Sequence, residues 1–332
     1  MRLSGWLLAL LVGAVACSPA VPPAPASDPT VRGIALGLFA SDPAFDYGGL
    51  VREIAGQGAT DVLLVVPWLQ SDLGSDDLEP FAGDLRGSLR AARALGLRAA
   101  VMPLVQLKHA RPGQWRGQLL PRAGAARWFV RYRELVRELA RTAAEGGALR
   151  LGIGSELSTL EPYEAEWRQV AREARQGAAG ARLFYSLNWD APLPPFVDEL
   201  DELGVAAYFA LAPAGVRPRH QALVAAWQAP REELRSLHAA LRGRPLFFSE
   251  LGYPALASAA ARPWDDRTDA AADLELQQDL YEAFCEAMGG AGAIRGFYAW
   301  NWFGFGGPTD RGYTPRGKPA ASSLRACLRG FR

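Results

Sequence analysis

Two glutamates stand directly after apolar runs of this chain. Glu156 follows the run Leu151–Ser155, and Glu250 follows the run Leu246–Ser249. Two neighbouring carboxyls can share the roles of acid, base and nucleophile, which is the chemistry that hydrolysis of a glycosidic bond requires. Taken singly, either residue could instead cap the following helix or be a solvated loop acid. The pair predicts a catalytic site, provided that the fold brings the ends of the two runs together.

Eight apolar runs follow one another after residue 30, and amphipathic segments separate them. Runs that are apolar throughout are typical of parallel strands buried on both faces. They are Val31–Phe39, Asp61–Trp68, Arg98–Val105, Leu149–Glu156, Leu183–Trp189, Gly204–Ala210, Pro245–Tyr253 and Arg295–Trp302. Between them, apolar residues recur at helical spacing opposite Arg and Glu. The clearest of these segments are Leu85–Leu95, Trp128–Ala144, Glu161–Arg175 and Asp273–Met288.

This alternation predicts an α/β protein with a single (β/α)8 TIM-barrel domain over residues 31–332, since such barrels need roughly 250 residues. Glycine-containing links at Gly56–Gly58 and Glu145–Gly147 indicate helix ends before the next strand. A doubly wound open sheet is the alternative. It calls for a Gly-rich phosphate turn after the first strand, and Phe39–Pro43 is no such turn.

The active site of a barrel forms at the carboxyl ends of its strands. Glu156 at the end of the fourth strand and Glu250 at the end of the seventh would therefore face each other across the mouth. Aromatic and amide side chains end the other strands, and this mixture suits a sugar better than a nucleotide, because no phosphate cradle accompanies it. The residues are Trp68, Asn188, Trp189, Tyr208, Trp300 and Trp302.

Several short motifs resemble, in order, the core of glycoside hydrolase family 113. They are Ile153–Leu157, Trp167-Arg168, Tyr185–Trp189 and Phe248–Tyr253, with Pro103, Trp115–Gly117, Trp128-Phe129 and Gly317–Ala320 at matching places. The resemblance extends from about residue 31 to the end of the chain. Characterised members of that family are retaining β-1,4-mannanases or mannosidases. The resemblance therefore implies an O-glycosyl hydrolase that cleaves β-1,4-mannan or manno-oligosaccharides.

The resemblance also implies roles for single residues. Glu250 would be the nucleophile and Glu156 the acid/base of a double displacement, and ionised Glu250 would raise the pKa of Glu156. Tyr208 would hold the nucleophile or be an aromatic at the barrel lip. Asn188 would bind a hydroxyl near the cleavage point or shape a turn, and Trp300 would floor the glycone subsite. Trp68, Trp189 and Trp302 would each be a further platform for sugar rings or would pack at the rim of the barrel.

The pairing of Glu156 and Glu250 also resembles the large clan of retaining barrel glycosidases, and one position departs from the pattern of that clan. Many clan members have Asn before the acid/base, where it binds the sugar 2-hydroxyl, and this chain has Ser155. The glycan and the choice between endo and exo cleavage therefore stay open. Two alternatives remain: a non-catalytic glycan-binding surface lipoprotein, and a barrel hydrolase of a different cell-wall or exopolysaccharide glycan.

The first 17 residues resemble a lipoprotein-type signal peptide. Arg2 precedes the apolar stretch Trp6–Val15, which is too short for a membrane span, and Ala14–Cys17 resembles a lipobox. Cys17 is therefore the expected lipidation site; the alternative is an ordinary signal peptide cleaved near Ala16. Residues 18–30 are rich in Pro and Ala and predict an extended tether. Either version exports the protein, and the first anchors it to the cell envelope, at the outer membrane in a Gram-negative host.

Charge and cysteine content restrict the partners. The chain has 36 basic and 35 acidic residues and a net charge of +1, so no concentrated basic field predicts a nucleic-acid partner. The three His are scattered, and we expect no metal and no other cofactor. The expected partners are an oligo- or polysaccharide and, through Cys17, a membrane; we expect a monomer. Cys285 and Cys327 fall on the last two predicted helices and either pair or are small buried residues.

Overall fold

The chain forms a closed barrel of eight parallel strands surrounded by helices. The structure is a computed structural model that describes residues 30–332 except 81, 82, 291 and 293. Cys17, the signal segment 1–17 and the tether up to residue 29 lie outside the described residues. Neighbouring strands pair in parallel, and the first strand pairs with both the last and the second, which closes the barrel. The predicted (β/α)8 TIM-barrel fold is confirmed.

Each barrel strand corresponds to one predicted apolar run. The strands are β1 Val31–Gly37, β2 Asp61–Gln70, β3 Arg98–Leu107, β4 Arg150–Ser155, β5 Arg182–Asn188, β6 Glu202–Ala206, β7 Leu246–Leu251 and β8 Gly296–Ala299. A two-residue segment, Glu79–Pro80, adds an antiparallel pairing to the end of β2.

One helix follows each of β1 to β4, β7 and β8, and two helices lie between β6 and β7. They are α1 Tyr47–Gly56, α2 Leu85–Ala94, α3 Ala125–Glu145, α4 Glu164–Gly177, α5 His220–Ala226, α6 Gln228–Ala240, α7 Leu274–Met288 and α8 Ala320–Gly330. Short 3-10 turns occur at Arg116–Gln118 and Val197–Glu199. Among the described residues, no helix combines the length and the apolar character that a membrane crossing needs.

Local sequence explains several helix ends. Asp46, Asp84 and Asp273 precede α1, α2 and α7, and each side chain accepts a hydrogen bond from the backbone N–H three residues later, at 2.7–2.8 Å. Such caps satisfy donors that have no partner within the helix. After α1 and α3, Gly58 and Gly147 adopt φ of +84° and +73°, which glycine does without steric cost.

Alternate residues of the strands pack into two separate apolar layers. On β2, Leu63 and Val65 point into the barrel, whereas Leu64 and Val66 pack outward against the helices. Because both faces are covered, each strand is apolar along its length. Trp68 belongs to the outward set.

The amino ends of five strands meet in a charged cluster, here called the basal ring. Asp61, Arg98, Arg150, Arg182 and Glu202 are the first residues of β2 to β6. Arg98 binds Asp61 at 2.5 Å, and Glu202 accepts from Arg150 at 2.7 Å and from Arg182 at 3.1 Å. Buried charges are tolerated when they are paired in this way, and these pairs link the amino ends of β2 to β6.

A disulfide joins the last two helices. Cys285 on α7 and Cys327 on α8 are bonded, with their Cα atoms 5.6 Å apart, within the usual range for such bonds. Of the two readings of these cysteines, the structure has the paired one.

Candidate active site

The side chain of Glu250 reaches the barrel mouth through a bulge in β7. Val205 pairs with Phe248, but its neighbour Ala206 pairs with Glu250, so Ser249 is an extra residue in the strand. A bulge of this kind bends the strand and re-aims the following side chain. Phe248 points outward, and the bulge lets both residues after it point inward.

A matching bulge precedes Glu156. Gly152 pairs with Phe184 and Ser155 with Ser186, which leaves one extra residue in β4. Glu156 itself has φ of +52°, in a left-handed region that non-glycine residues seldom adopt. Strained backbone of this kind persists only where surrounding contacts enforce it, and it concentrates at functional sites. Both predicted acids therefore follow a β-bulge with one extra residue in their strand.

Each carboxylate oxygen of Glu250 accepts a hydrogen bond from a hydroxyl group. Ser155 Oγ donates to Oε1 at 3.0 Å, and Tyr208 OH donates to Oε2 at 3.0 Å. Glu250 is 1% exposed, so these contacts replace water. An ionised carboxylate offers only acceptors, and both neighbours meet it with donors.

Glu156 has a different environment. It is 5% exposed, and burial is the main cause that raises its pKa to about 7. The positive charge of Arg116, which forms an ion pair with it, opposes this rise, whereas the negative charges of Glu250 and Glu161 add to it. Near neutral pH, Glu156 can therefore hold a proton while Glu250 accepts from two donors.

Arg116 is a member of the site that the sequence interpretation missed. Its Nη2 binds Glu156 Oε2 and lies 3.8 Å from Glu250 Oε1. One guanidinium nitrogen thus reaches both acids, and the predicted meeting of Glu156 and Glu250 at the mouth is what the structure shows. The only sequence signal was the motif Trp115–Gly117 in the loop after the third strand.

Tyr185 fixes the backbone just after Glu156. Its hydroxyl accepts from the Leu157 N–H at 2.8 Å and donates to Glu161 at 2.9 Å. Burial, with the charge of Glu161, raises the pKa of Tyr185 well above its usual value, so the hydroxyl keeps the proton that it donates.

Three predicted aromatic residues lie at or near the mouth. Tyr208 and Trp300 belong to the inner apolar layer, and Trp189 packs against it while its ring centroid lies 5.4 Å from that of Phe209. Tyr313, which the sequence interpretation did not single out, lies beside Tyr208, with ring centroids 6.1 Å apart. These rings give the inner layer an aromatic surface beside Tyr208, which donates to Glu250.

Two predicted platforms lie elsewhere. Trp68 is 2% exposed and packs edge-on against Tyr132 of α3, because the alternation along β2 turns it outward. Trp302 is also 2% exposed, and its Nε1 donates to Glu53 of α1 at 2.9 Å. Neither ring is accessible to a sugar in this structure, so of the two readings of Trp68 and Trp302 these contacts match packing rather than a sugar platform.

Asn188 makes local hydrogen bonds at the end of β5. Its Nδ2 donates to Asp190 at 2.8 Å, and its Oδ1 accepts from the Trp189 N–H at 3.0 Å. Of the two readings of Asn188, these contacts match the turn-forming one.

One group of potential metal ligands occurs among the described residues, away from the strand ends. His220 of α5 and Asp279 and Glu282 of α7 have ligand atoms within 4.8 Å of one another. Asp279 is already paired with Arg217 at 3.0 Å, and His220 with Glu286 at 2.8 Å. The group does not contact the two acids at the mouth.

The model of Glycoside Hydrolase Family 113 matches residues 73–309. The family 113 β-mannanase AaManA from Alicyclobacillus acidocaldarius, in complex with ManMIm, is 25% identical with a TM-score of 0.80, over 92% of this chain and 99% of that one. Another family 113 β-1,4-mannanase structure is 20% identical with a TM-score of 0.76, over 91% of this chain and 99% of that one.

More distant structures share only the fold. A GH5_18 protein from Streptomyces cattleya, in complex with GlcNAc, is 14% identical with a TM-score of 0.59, over 92% of this chain and 81% of that one. The curated proteins contain no match to this chain. The family match spans more than half of the chain, so both the family and the prediction of an O-glycosyl hydrolase are confirmed. This chain belongs to glycoside hydrolase family 113.

Proposed function

We propose that this protein is a retaining glycosidase that cleaves β-1,4-mannan or manno-oligosaccharides, with Glu250 as nucleophile and Glu156 as acid/base. The observation that carries the proposal is that two carboxyls lie close to the same guanidinium nitrogen of Arg116 but have different surroundings. Glu250 accepts hydrogen bonds from two hydroxyls. Burial raises the pKa of Glu156 to about 7, so this carboxyl can hold a proton near neutral pH. Environments that separate two carboxyls in this way assign the acid and the nucleophile.

The reaction has two steps. Glu250 attacks the anomeric carbon, the glycosidic C–O bond breaks, and Glu156 gives its proton to the leaving oxygen. Water then loses a proton to Glu156 and attacks the same carbon, which breaks the ester to Glu250. Both carboxyls return to their starting states, and two inversions retain the anomeric configuration.

Mannan is proposed because this chain and AaManA, described as a β-mannanase, are similar over nearly their whole lengths. Ser155 is the reason to test other sugars. Its hydroxyl is engaged with Glu250 at 3.0 Å, and serine is shorter than the asparagine of many clan members. Glycans that differ at carbon 2 of the sugar are therefore the informative comparison.

The test is a panel of manno-, gluco- and xylo-oligosaccharides, with product analysis by mass spectrometry and ¹H NMR of the first-formed anomer. We expect cleavage of the manno-series with retention. Binding of the manno-series without cleavage would instead favour a glycan-binding lipoprotein, and cleavage of another series alone would assign a different glycan.

Two variants separate the roles of the acids. Glu156→Gln should lower turnover of natural glycans by roughly 10²–10⁴-fold yet spare the first step on dinitrophenyl glycosides, whose leaving group needs no proton. Glu250→Gln should lose both reactions. Equal residual activity of the two variants on the dinitrophenyl substrate would contradict these roles.

We also propose that the protein is exported and lipid-anchored through Cys17. The Cys285–Cys327 disulfide supports export, because such bonds persist in oxidising compartments. Metabolic labelling with a clickable fatty acid should label the wild-type protein and not a Cys17→Ser variant. Equal labelling of the two would refute the anchor, and recovery of unlabelled, processed wild type would indicate an ordinary signal peptide.

A further inference from the structure

Arg116 lies on a loop that is fixed close to Glu156. Thr159, three residues after Glu156, donates its backbone N–H to the Gly117 carbonyl at 3.1 Å and its hydroxyl to the Leu119 carbonyl at 2.6 Å. Leu119 is fully buried. The 3-10 turn that carries Arg116 is therefore tied to the segment that carries the acid, and their relative position is set by these bonds.

The guanidinium is placed to act on both acids. Nη2 binds Glu156 and lies 3.8 Å from Glu250 Oε1, whereas Nε is buried without a hydrogen-bond partner among the described residues. A buried donor without a partner destabilises the fold, so stability alone does not explain this arginine. The other titratable groups that face Glu156 or adjoin it are Glu161, Tyr185, Tyr208, Glu250 and Tyr313.

We propose that Arg116 is a positioning residue of the reaction, whose charge balances Glu250 in the first step and acts on Glu156 alone in the second. This inference rests on the proposed retaining mechanism. Before the reaction, the site contains the positive charge of Arg116 and the negative charge of Glu250. The first lowers the pKa of Glu156 and the second raises it. Burial raises the pKa of Glu156 further, so Glu156 holds the proton that the first step needs.

The balance changes when the glycosyl-enzyme forms. Glu250 is then an ester and carries no charge, whereas Arg116 keeps its charge. An unopposed cation close to a carboxyl favours its ionised form. Glu156 is therefore a carboxylate when water must lose a proton, and the same residue serves as acid first and as base second.

The substitution Arg116→Met keeps an unbranched side chain and removes the charge. In its glycosyl-enzyme, burial of Glu156 is unopposed, so the carboxyl stays protonated and cannot act as base. An opposite charge at this distance changes a pKa by roughly 1–3. We expect hydrolysis of the intermediate at pH 6.5 to slow by about 10- to 1000-fold and to recover as the pH rises.

The measurement uses dinitrophenyl β-mannobioside, because formation of the intermediate from it needs no acid. The Arg116→Met variant should show a burst of dinitrophenol and accumulate an enzyme heavier by one mannobiosyl group in intact-protein mass spectra. Azide should restore turnover, since it attacks the anomeric carbon and displaces Glu250 without giving up a proton. Arg116→Lys should retain part of the wild-type rate.

Arg133→Met is the matched control. Arg133 is also partly buried, at 16% exposure of its side chain against 18% for Arg116, and is paired with Glu166 away from the mouth. It should show neither the burst nor the azide effect. If Arg116→Met lowers the rate without a burst, a pH shift or azide rescue, its role is structural and the proposal is overturned.

A second measurement does not depend on turnover. The carboxyl carbon of Glu156, assigned by its loss in Glu156→Gln, is titrated by ¹³C NMR in the free protein. Its midpoint should rise by at least one pH unit in Arg116→Met, and an unchanged midpoint would overturn the proposal even in an active enzyme. A raised midpoint with no turnover by the wild type would uphold the charge coupling and refute the proposed function.

Discussion

Burial of Glu156 should make the stability of this protein depend on pH. The carboxyl is enclosed by protein, and its pKa is raised to about 7 from an ordinary 4.5, first by burial and further by Glu250 and Glu161. Arg116 opposes this rise only in part. A group whose pKa differs between the folded and unfolded chains changes the free energy of unfolding with pH.

The sign and the size follow from the two pKa values. Below pH 4.5 the carboxyl is protonated in both states, and its contribution to stability is fully present. Between pH 4.5 and 7 only the folded chain keeps the proton, so stability falls as the pH rises. At 1.36 kcal/mol per pH unit, the total loss above pH 7 is about 3 kcal/mol.

The substitution Glu156→Gln removes this dependence. Glutamine is neutral at every pH, and its carbonyl oxygen can still accept from Arg116. Relative to wild type, the variant should therefore gain about 3 kcal/mol in free energy of unfolding between pH 4 and pH 8. The stabilised variant should at the same time be a poor catalyst on natural glycans.

The assay is urea unfolding followed by tryptophan fluorescence at pH 4, 5.5, 7 and 8. Glu232→Gln, at a side chain that is 72% exposed, controls for the general effect of replacing a glutamate. A difference between wild type and Glu156→Gln that stays constant across these pH values would refute the reasoning, because it would mean that the site does not penalise the charge.

Three further predictions concern other parts of the molecule. Tyr208→Phe removes one donor to Glu250; a hydrogen bond to a charged group contributes about 1.5–3 kcal/mol, so kcat/KM should fall about 10- to 100-fold, and an unchanged value would show that the bond has no role. Cys285→Ser opens the bond to Cys327, across a sequence separation of 42; unfolding should become easier by up to about 4 kcal/mol, seen as a lower Tm that no longer responds to reductant, with activity kept at low temperature. Trp68→Ala should cost about 3–5 kcal/mol of stability and leave KM unchanged, and the opposite pattern would place its ring in contact with sugar.

The barrel could be predicted from sequence because burial on both faces leaves a simple trace, an apolar run with no alternation. Strand ends were less predictable. The sixth strand was expected at Gly204–Ala210 and lies at Glu202–Ala206. A strand that begins with a buried glutamate does not fit an apolar pattern, and here the glutamate is buried as the partner of Arg150 and Arg182.

The acids of the site could be predicted because each ends an apolar run. Arg116 could not, since its contact with Glu156 joins a long loop to a strand end 40 residues away, and no spacing in the sequence records such a contact. Trp68 was misplaced for another reason. A strand end was taken to point into the mouth, whereas alternation from the inward residues Leu63 and Val65 turns this position outward.

The members of the basal ring also show how far β2 to β6 are displaced along one another. Asp61 is level with Arg98, and Arg150 with Arg182. Arg150 starts two residues further along than Arg98, and Glu202 two further than Arg182, the stepwise stagger that a closed barrel requires.

The ring is thus a reference at the amino ends of β2 to β6, from which the length of each of these strands toward the mouth can be counted. One inserted residue above the ring, as in β4, changes which side chain the strand presents and leaves the pairing below it intact. The insertion in β7 has the same effect on a strand outside the ring. Strands of this barrel can therefore be lengthened singly, by evolution or by design, to introduce a new functional group at the mouth without rebuilding the base.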